Sequence, residues 1–96
     1  MTRELNSLYL SHSGMKTLQP ERIRNLTNLT NLNLSENRLT ALPPEIGNLT
    51  KRTSLNLIDN DLTMLPPEIR KLTNLHSLYL AENPLHPALY QYFPWP

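Results

Sequence analysis

One histidine and three acids recur at a fixed place in this chain: His12, Glu36, Asp59 and Glu82 are separated by 24, 23 and 23 residues. Imidazole and carboxylate groups carry most biological proton transfer, so acid–base chemistry is the first possibility to weigh. A pair such as Asp59 and Glu82 has suitable residue types. However, nothing in the flanking sequence desolvates either one, and an open, wet row lacks the environment that such work requires. At strand spacing His12 and His76 should stand about 14 Å apart, too far to share a substrate. The third histidine, His86, falls in the tail. With no cysteine, only two glycines (Gly14 and Gly47), and no metal-ligand spacing, the chain has neither a thiolate nucleophile nor a phosphate-cradling loop. The expectation is a protein that is not an enzyme, with no cofactor and no metal.

The spacing of that row comes from the elements that carry it. The pentapeptide Leu42-Pro43-Pro44-Glu45-Ile46 returns 23 residues later as Leu65-Pro66-Pro67-Glu68-Ile69. Adjacent prolines remove two backbone donors and fix φ, which excludes a helix interior or a central strand and reads as a corner. Around it the frame Leu29, Leu32, Leu34, Asn37, Leu39, Leu42 is repeated as Arg52, Leu55, Leu57, Asn60, Leu62, Leu65. It extends back to Leu5, Leu8, Leu10, Ser13, Met15 and Leu18, and forward to Leu75, Leu78, Leu80, Asn83 and Leu85. The chain therefore divides into units at about 5–28, 29–51, 52–74 and 75–85, with a tail at 86–96, all within one domain spanning 1–96.

The alternation at the end of each Leu-x-x-Leu-x-Leu segment predicts a short half-buried strand near Leu8–Leu10, Leu32–Leu34, Leu55–Leu57 and Leu78–Leu80. The long connections make neighbouring strands parallel. Leu42, Ile46 and Leu49 follow at helical spacing, predicting a short helical or 3₁₀ turn that starts at proline and returns the chain on the outer face. Asn37, Asn60 and Asn83 form a structural ladder. A buried Asn must satisfy both carbonyl and amide, and the backbone of the turn and of the next unit are the available partners.

Nine Lys and Arg balance eight Asp and Glu without a run of one sign, which argues against a nucleic-acid or membrane partner. Apolar stretches of two or three residues are far below the roughly 20 needed to cross a bilayer. Absence of cysteine, and of a secretory apolar segment in the first residues, makes a cytoplasmic protein the expectation. The triplets Asn25-Leu26-Thr27, Asn28-Leu29-Thr30, Asn33-Leu34-Ser35 and Asn48-Leu49-Thr50 match glycosylation acceptors only because the repeat itself spells Asn-Leu-Thr.

The frame Leu-x-x-Leu-x-Leu-x-x-Asn-x-Leu-x-x-Leu over residues 5 to 85 resembles the leucine-rich repeat. Its 23-residue period and Leu-Pro-Pro-Glu-Ile corner resemble the Ras-suppressor-type subgroup. The resemblance implies an α/β repeat solenoid: a short curved horseshoe with about four parallel strands on the concave face and 3₁₀ or short helical turns on the convex face. It also implies protein binding without catalysis, and small GTPases or their regulators as partners.

Three departures stand out. The first unit has Ser13 for Asn, Met15 for Leu, and a Leu18-to-Ile23 spacing of five rather than four, as terminal repeats often do. Arg52 replaces an opening leucine; either its apolar stem packs while the guanidinium reaches solvent, or it offers a cationic contact to a partner. The tail from Pro84 to Pro96 holds four of the six aromatics and reads either as a carboxy-terminal cap or as an exposed contact surface.

Residues between the inward leucines point to the concave face. The candidate partner-binding set is Tyr9, His12, Asn33, Glu36, Asn56, Ile58, Asp59, Tyr79 and Glu82. The acids make a docking edge for a basic partner segment or, alternatively, a solvated row, and the tyrosines and Ile58 are its apolar anchors. Four strands at about 4.8 Å and about five exposed residues at about 3.3 Å give a patch on the order of 300 Å². A standard interface takes about 800 Å² per partner. The expected function is a non-catalytic module binding a protein or peptide. The alternative is a self-assembling unit, or a fragment of a longer array, that associates as a homo-oligomer through its open ends.

Overall fold

The computed structural model describes residues 6–51 and 53–87. Arg52 and residues 88–96, which carry the expectations of an edge contact and of a terminal cap, lie outside the described residues.

Four three-residue strands, β1 (Ser7–Tyr9), β2 (Asn31–Asn33), β3 (Ser54–Asn56) and β4 (Ser77–Tyr79), form one parallel sheet in chain order. Leu8, Leu32, Leu55 and Leu78 stand side by side in its register. Each leucine turns inward and its two strand neighbours outward, as period-two alternation requires. The strands begin one residue earlier than expected and end at Tyr9, Asn33, Asn56 and Tyr79. The cause is local in the two middle units. Asn33 Oδ1 accepts the Ser35 N–H and Asn56 Oδ1 accepts the Ile58 N–H, each at 3.0 Å, and this side-chain bond turns the backbone out of the ladder.

The return side holds one turn of α-helix, α1 (Pro20–Ile23), and two 3₁₀ turns, Pro44–Asn48 and Pro67–Lys71. Each begins at a proline, where the missing donor would have had no partner. The extra residue before Ile23 decides the difference. It lets Arg24 N–H reach the Pro20 carbonyl at 2.9 Å, whereas Ile46 and Ile69 close on Pro43 and Pro66, three residues back, at 3.1 and 3.0 Å.

Between sheet and turns lies a single leucine core. Leu32, Leu34, Leu39, Leu42, Ile46 and Leu49 of the second unit are buried, as are their counterparts Leu55, Leu57, Leu62, Leu65, Ile69 and Leu72 in the third. Leu8, Leu10 and Leu26 of the first unit and Leu75, Leu78, Leu80 and Leu85 of the last are half-buried, since among the described residues each of these units has a neighbour on one flank alone. On the return side the turns approach so closely that a Cβ on Gly47 would lie 2.8 Å from the Glu68 carbonyl oxygen.

The asparagine ladder stitches the units. Asn37 Oδ1 accepts the Ser13 and Met15 N–H groups at 3.0 and 3.1 Å, and its amide donates to the Leu10 and Leu34 carbonyls at 3.0 Å. Asn60 accepts from Leu39 at 3.0 Å and donates to Leu34 and Leu57 at 3.0 and 3.1 Å. Asn83 accepts from Leu62 at 3.0 Å and donates to Leu57 and Leu80 at 2.8 and 3.0 Å. All three reach back to the preceding unit, not forward to the next as anticipated. Among the described residues no unit precedes the first, and there Ser13 donates its hydroxyl to the nearby Ser11 carbonyl at 3.3 Å.

Candidate functional site

The strand face is built from two rows that cross the strands. The first follows the register Tyr9, Asn33, Asn56, Tyr79. Tyr9 and Tyr79 are 63% and 48% exposed. Between them Asn33 and Asn56 are half-buried, their side-chain oxygens already occupied by backbone donors. Ser35 is buried beside Asn33 and donates its hydroxyl to Asn33 Oδ1 at 2.7 Å. Two aromatic walls therefore bracket a low, hydrogen-bonded polar floor. Asn31 Nδ2 donates to the Tyr9 phenol oxygen at 3.0 Å and draws that ring toward the second strand.

The second row lies just past the strand ends. His12, Glu36, Asp59 and Glu82 all adopt left-handed backbone conformations, with φ of 55°, 55°, 60° and 60°. For a residue with a Cβ this costs about 1–2 kcal/mol, which glycine avoids and Asn or Asp softens. Backbone bonds fix the row at strand spacing: the N–H groups of His12, Glu36 and Asp59 donate to the carbonyls of Ser35, Ile58 and Ala81 in the following unit, at 3.3, 2.8 and 2.9 Å. All four side chains are exposed. The His12 imidazole pairs with the Glu36 carboxylate, but a contact this open to solvent contributes little to stability.

The structure thus brings Tyr9, Asn33, Asn56 and Tyr79 into one row, and His12, Glu36, Asp59 and Glu82 into the next, with Ile58 half-buried between them. Sequence reasoning missed three features: the His12–Glu36 pair, the tether from Asn31 to Tyr9, and the capture of the Asn33 and Asn56 oxygens by the backbone. The last had a legible signal, an Asn at a strand end followed two residues on by a free N–H. Among the described residues no group of three or more His, Cys, Asp or Glu side chains is placed to hold a metal ion. None of the described helices is long and apolar enough to cross a membrane.

Four parallel strands in chain order, one per unit, joined by three short return turns and stitched by three asparagines, define a repeat solenoid. A family model described as leucine rich repeat matches residues 3–62 and again 27–85, and the chain belongs to the leucine-rich-repeat family. It is also similar to a solved leucine-rich-repeat protein of Leptospira interrogans, with 43% sequence identity and a TM-score of 0.85 over 94% of this chain. The chain spans 24% of the length of that protein. No curated protein matches it. Domains of this family generally mediate protein–protein interaction and are typically non-catalytic.

Proposed function

We propose that the chain is a non-catalytic interaction module that takes a basic, extended segment of a partner protein on its strand face. The observation that carries this reading is the row of Glu36, Asp59 and Glu82, exposed at left-handed positions beside a row ending in two exposed tyrosines. Backbone energetics alone favours Gly, Asn or Asp at these positions, which accounts for Asp59 but not for Glu36 and Glu82. A cation brought by a partner is a reason for carboxylates instead. Tyr9 and Tyr79 offer ring faces to Lys or Arg and Ile58 adds apolar area, the residue types that dominate interface energetics. The acids repel phosphate, which disfavours a nucleic acid or an anionic bilayer as the ligand.

A face of about 300 Å² suits a peptide-sized contact better than a globular one. The Leu-Pro-Pro-Glu-Ile corner supports the Ras-suppressor-type subgroup, and by that resemblance a small GTPase or its regulator is the favoured source of the segment. Absence of cysteine fits a reducing compartment such as the cytoplasm.

The test is fluorescence polarisation with a labelled peptide of alternating lysine and serine and its glutamate counterpart, on the wild type and on Glu36→Lys/Tyr79→Ser. Neither substitution touches the core. The lysine peptide should bind the wild type, lose at least tenfold in affinity on the double variant, and weaken with added salt. Equal affinity for both peptides, or an unaffected double variant, refutes the reading.

A further inference from the structure

The acid row sets a length that a ligand has to match. Glu36, Asp59 and Glu82 follow one another a single strand apart, held there by the Glu36 and Asp59 N–H groups on the Ile58 and Ala81 carbonyls at 2.8 and 2.9 Å. At about 4.8 Å per strand the outer pair, Glu36 and Glu82, stand about 9.6 Å apart. A β-extended segment lying across the strands shows a side chain to the face every second residue, about 6.6 Å on, so its cations fall out of step after the first carboxylate. A polyproline II segment has three residues per turn and a rise of about 3.1 Å, which places residues i and i+3 on one face about 9.3 Å apart.

The floor of the face points the same way for a different reason. Asn33 Oδ1 is taken by the Ser35 N–H and hydroxyl, and Asn56 Oδ1 by the Ile58 N–H. With the acceptors occupied, the remaining polar group of each side chain is its amide, which only donates. A β-extended segment brings N–H groups and carbonyls in equal number, whereas a proline-rich one brings mainly carbonyls, because proline has no N–H. Tyr9 and Tyr79 close the row three strands apart in register, a distance of about 14.4 Å. Aromatic-lined grooves are what polyproline II ligands dock into, and about five residues at about 3.1 Å each cover that distance.

Granting the strand-face site proposed above, we infer that its ligand is a polyproline II segment with Lys or Arg at positions i and i+3, lying across the four strands with one cation on Glu36 and the other on Glu82. The segment runs between the two rows. Of its three edges, one carries the cations to the acids, the second sets prolines and carbonyls against the Tyr9–Tyr79 row, and the third faces solvent. Asp59 lies between the two cations and attracts both without selecting their spacing. Such a segment is ordered before it binds, so docking costs little conformational entropy and a face of about 300 Å² suffices.

Fluorescence polarisation tests this with three isomeric labelled peptides, each holding two lysines in an otherwise all-proline chain, the lysines being two, three or four residues apart. Charge and composition are the same in all three. The three-residue spacing should bind the wild type about threefold tighter than either isomer, the difference made by one exposed ion pair gained or lost. Glu82→Gln, at an exposed position, should erase that preference. Equal binding of the three isomers by the wild type overturns the inference, as does a preference that survives in Glu82→Gln; if the alternating lysine–serine peptide still binds, the strand-face reading stands without it. If neither the proline peptides nor the lysine–serine peptide bind, the strand-face reading itself fails and the inference with it.

Discussion

Replacing Asn60 with alanine attacks the joint between the second and third units. Asn60 is 5% exposed. Its oxygen holds the Leu39 N–H at 3.0 Å, and its amide holds the Leu34 and Leu57 carbonyls at 3.0 and 3.1 Å. Alanine cannot replace any of these, and water has little access to the site. Three bonds at a net of about 1 kcal/mol each, one of them leaving a buried N–H unpaired, give a loss of about 3–4 kcal/mol. A 96-residue chain has roughly 5–14 kcal/mol in total, so the loss removes a large fraction of it. Urea unfolding followed by circular dichroism measures the change, with Asn74→Ala as the control. Asn74 is exposed, its amide makes one bond to the Thr50 carbonyl at 3.3 Å, and its loss should cost no more than about 0.5 kcal/mol. A loss below about 1 kcal/mol for Asn60→Ala would refute the view that the ladder joins the units.

Other substitutions test other layers. Gly47→Ala places a Cβ 2.8 Å from the Glu68 carbonyl oxygen and should cost about 1–3 kcal/mol by forcing the two 3₁₀ turns apart, read as a fall in melting temperature. Gly14→Ala meets nothing within 4 Å but must hold a φ of +64°, so its cost should be near 1 kcal/mol, from backbone strain alone. Glu82→Asn relaxes a left-handed backbone at an exposed position and should leave stability unchanged or raise it by up to about 1 kcal/mol; a marked fall would show that the acid is structural. Leu55→Ala removes a fully buried side chain at the centre of β3 and should cost about 2–5 kcal/mol in the same urea experiment.

Much of the fold is legible because each unit repeats one answer. The leucines of the two middle units mark the core without ambiguity, since a residue flanked by like units on both sides has only one place to go. The edges are harder. Extra length before Ile23 is visible in the sequence, but that it converts a 3₁₀ turn into a turn of α-helix depends on which carbonyl the next N–H reaches. The direction of the asparagine ladder is likewise hidden, since spacing is symmetric and only the geometry shows that Asn37 holds Leu10 and Met15 of the unit before it. On the strand face, alternation places Tyr9 and Tyr79 outward correctly, whereas Ser35, in the same outer segment, folds down to Asn33 and is buried. The left-handed backbone at Glu36 and Glu82 has no sequence signal, because glutamate is not a residue that favours it.

The central claim is that the strand face, and not the return side, is where a partner sits. The most direct measurement is a two-dimensional ¹⁵N–¹H NMR titration of the chain with the alternating lysine–serine peptide. Binding on the strand face predicts shifts concentrated at Tyr9, Asn33, Glu36, Asn56, Ile58, Asp59, Tyr79 and Glu82, with Arg22, Arg24 and Asn48 on the return side unmoved. Shifts confined to the return side, or no saturable shifts at all, would contradict it.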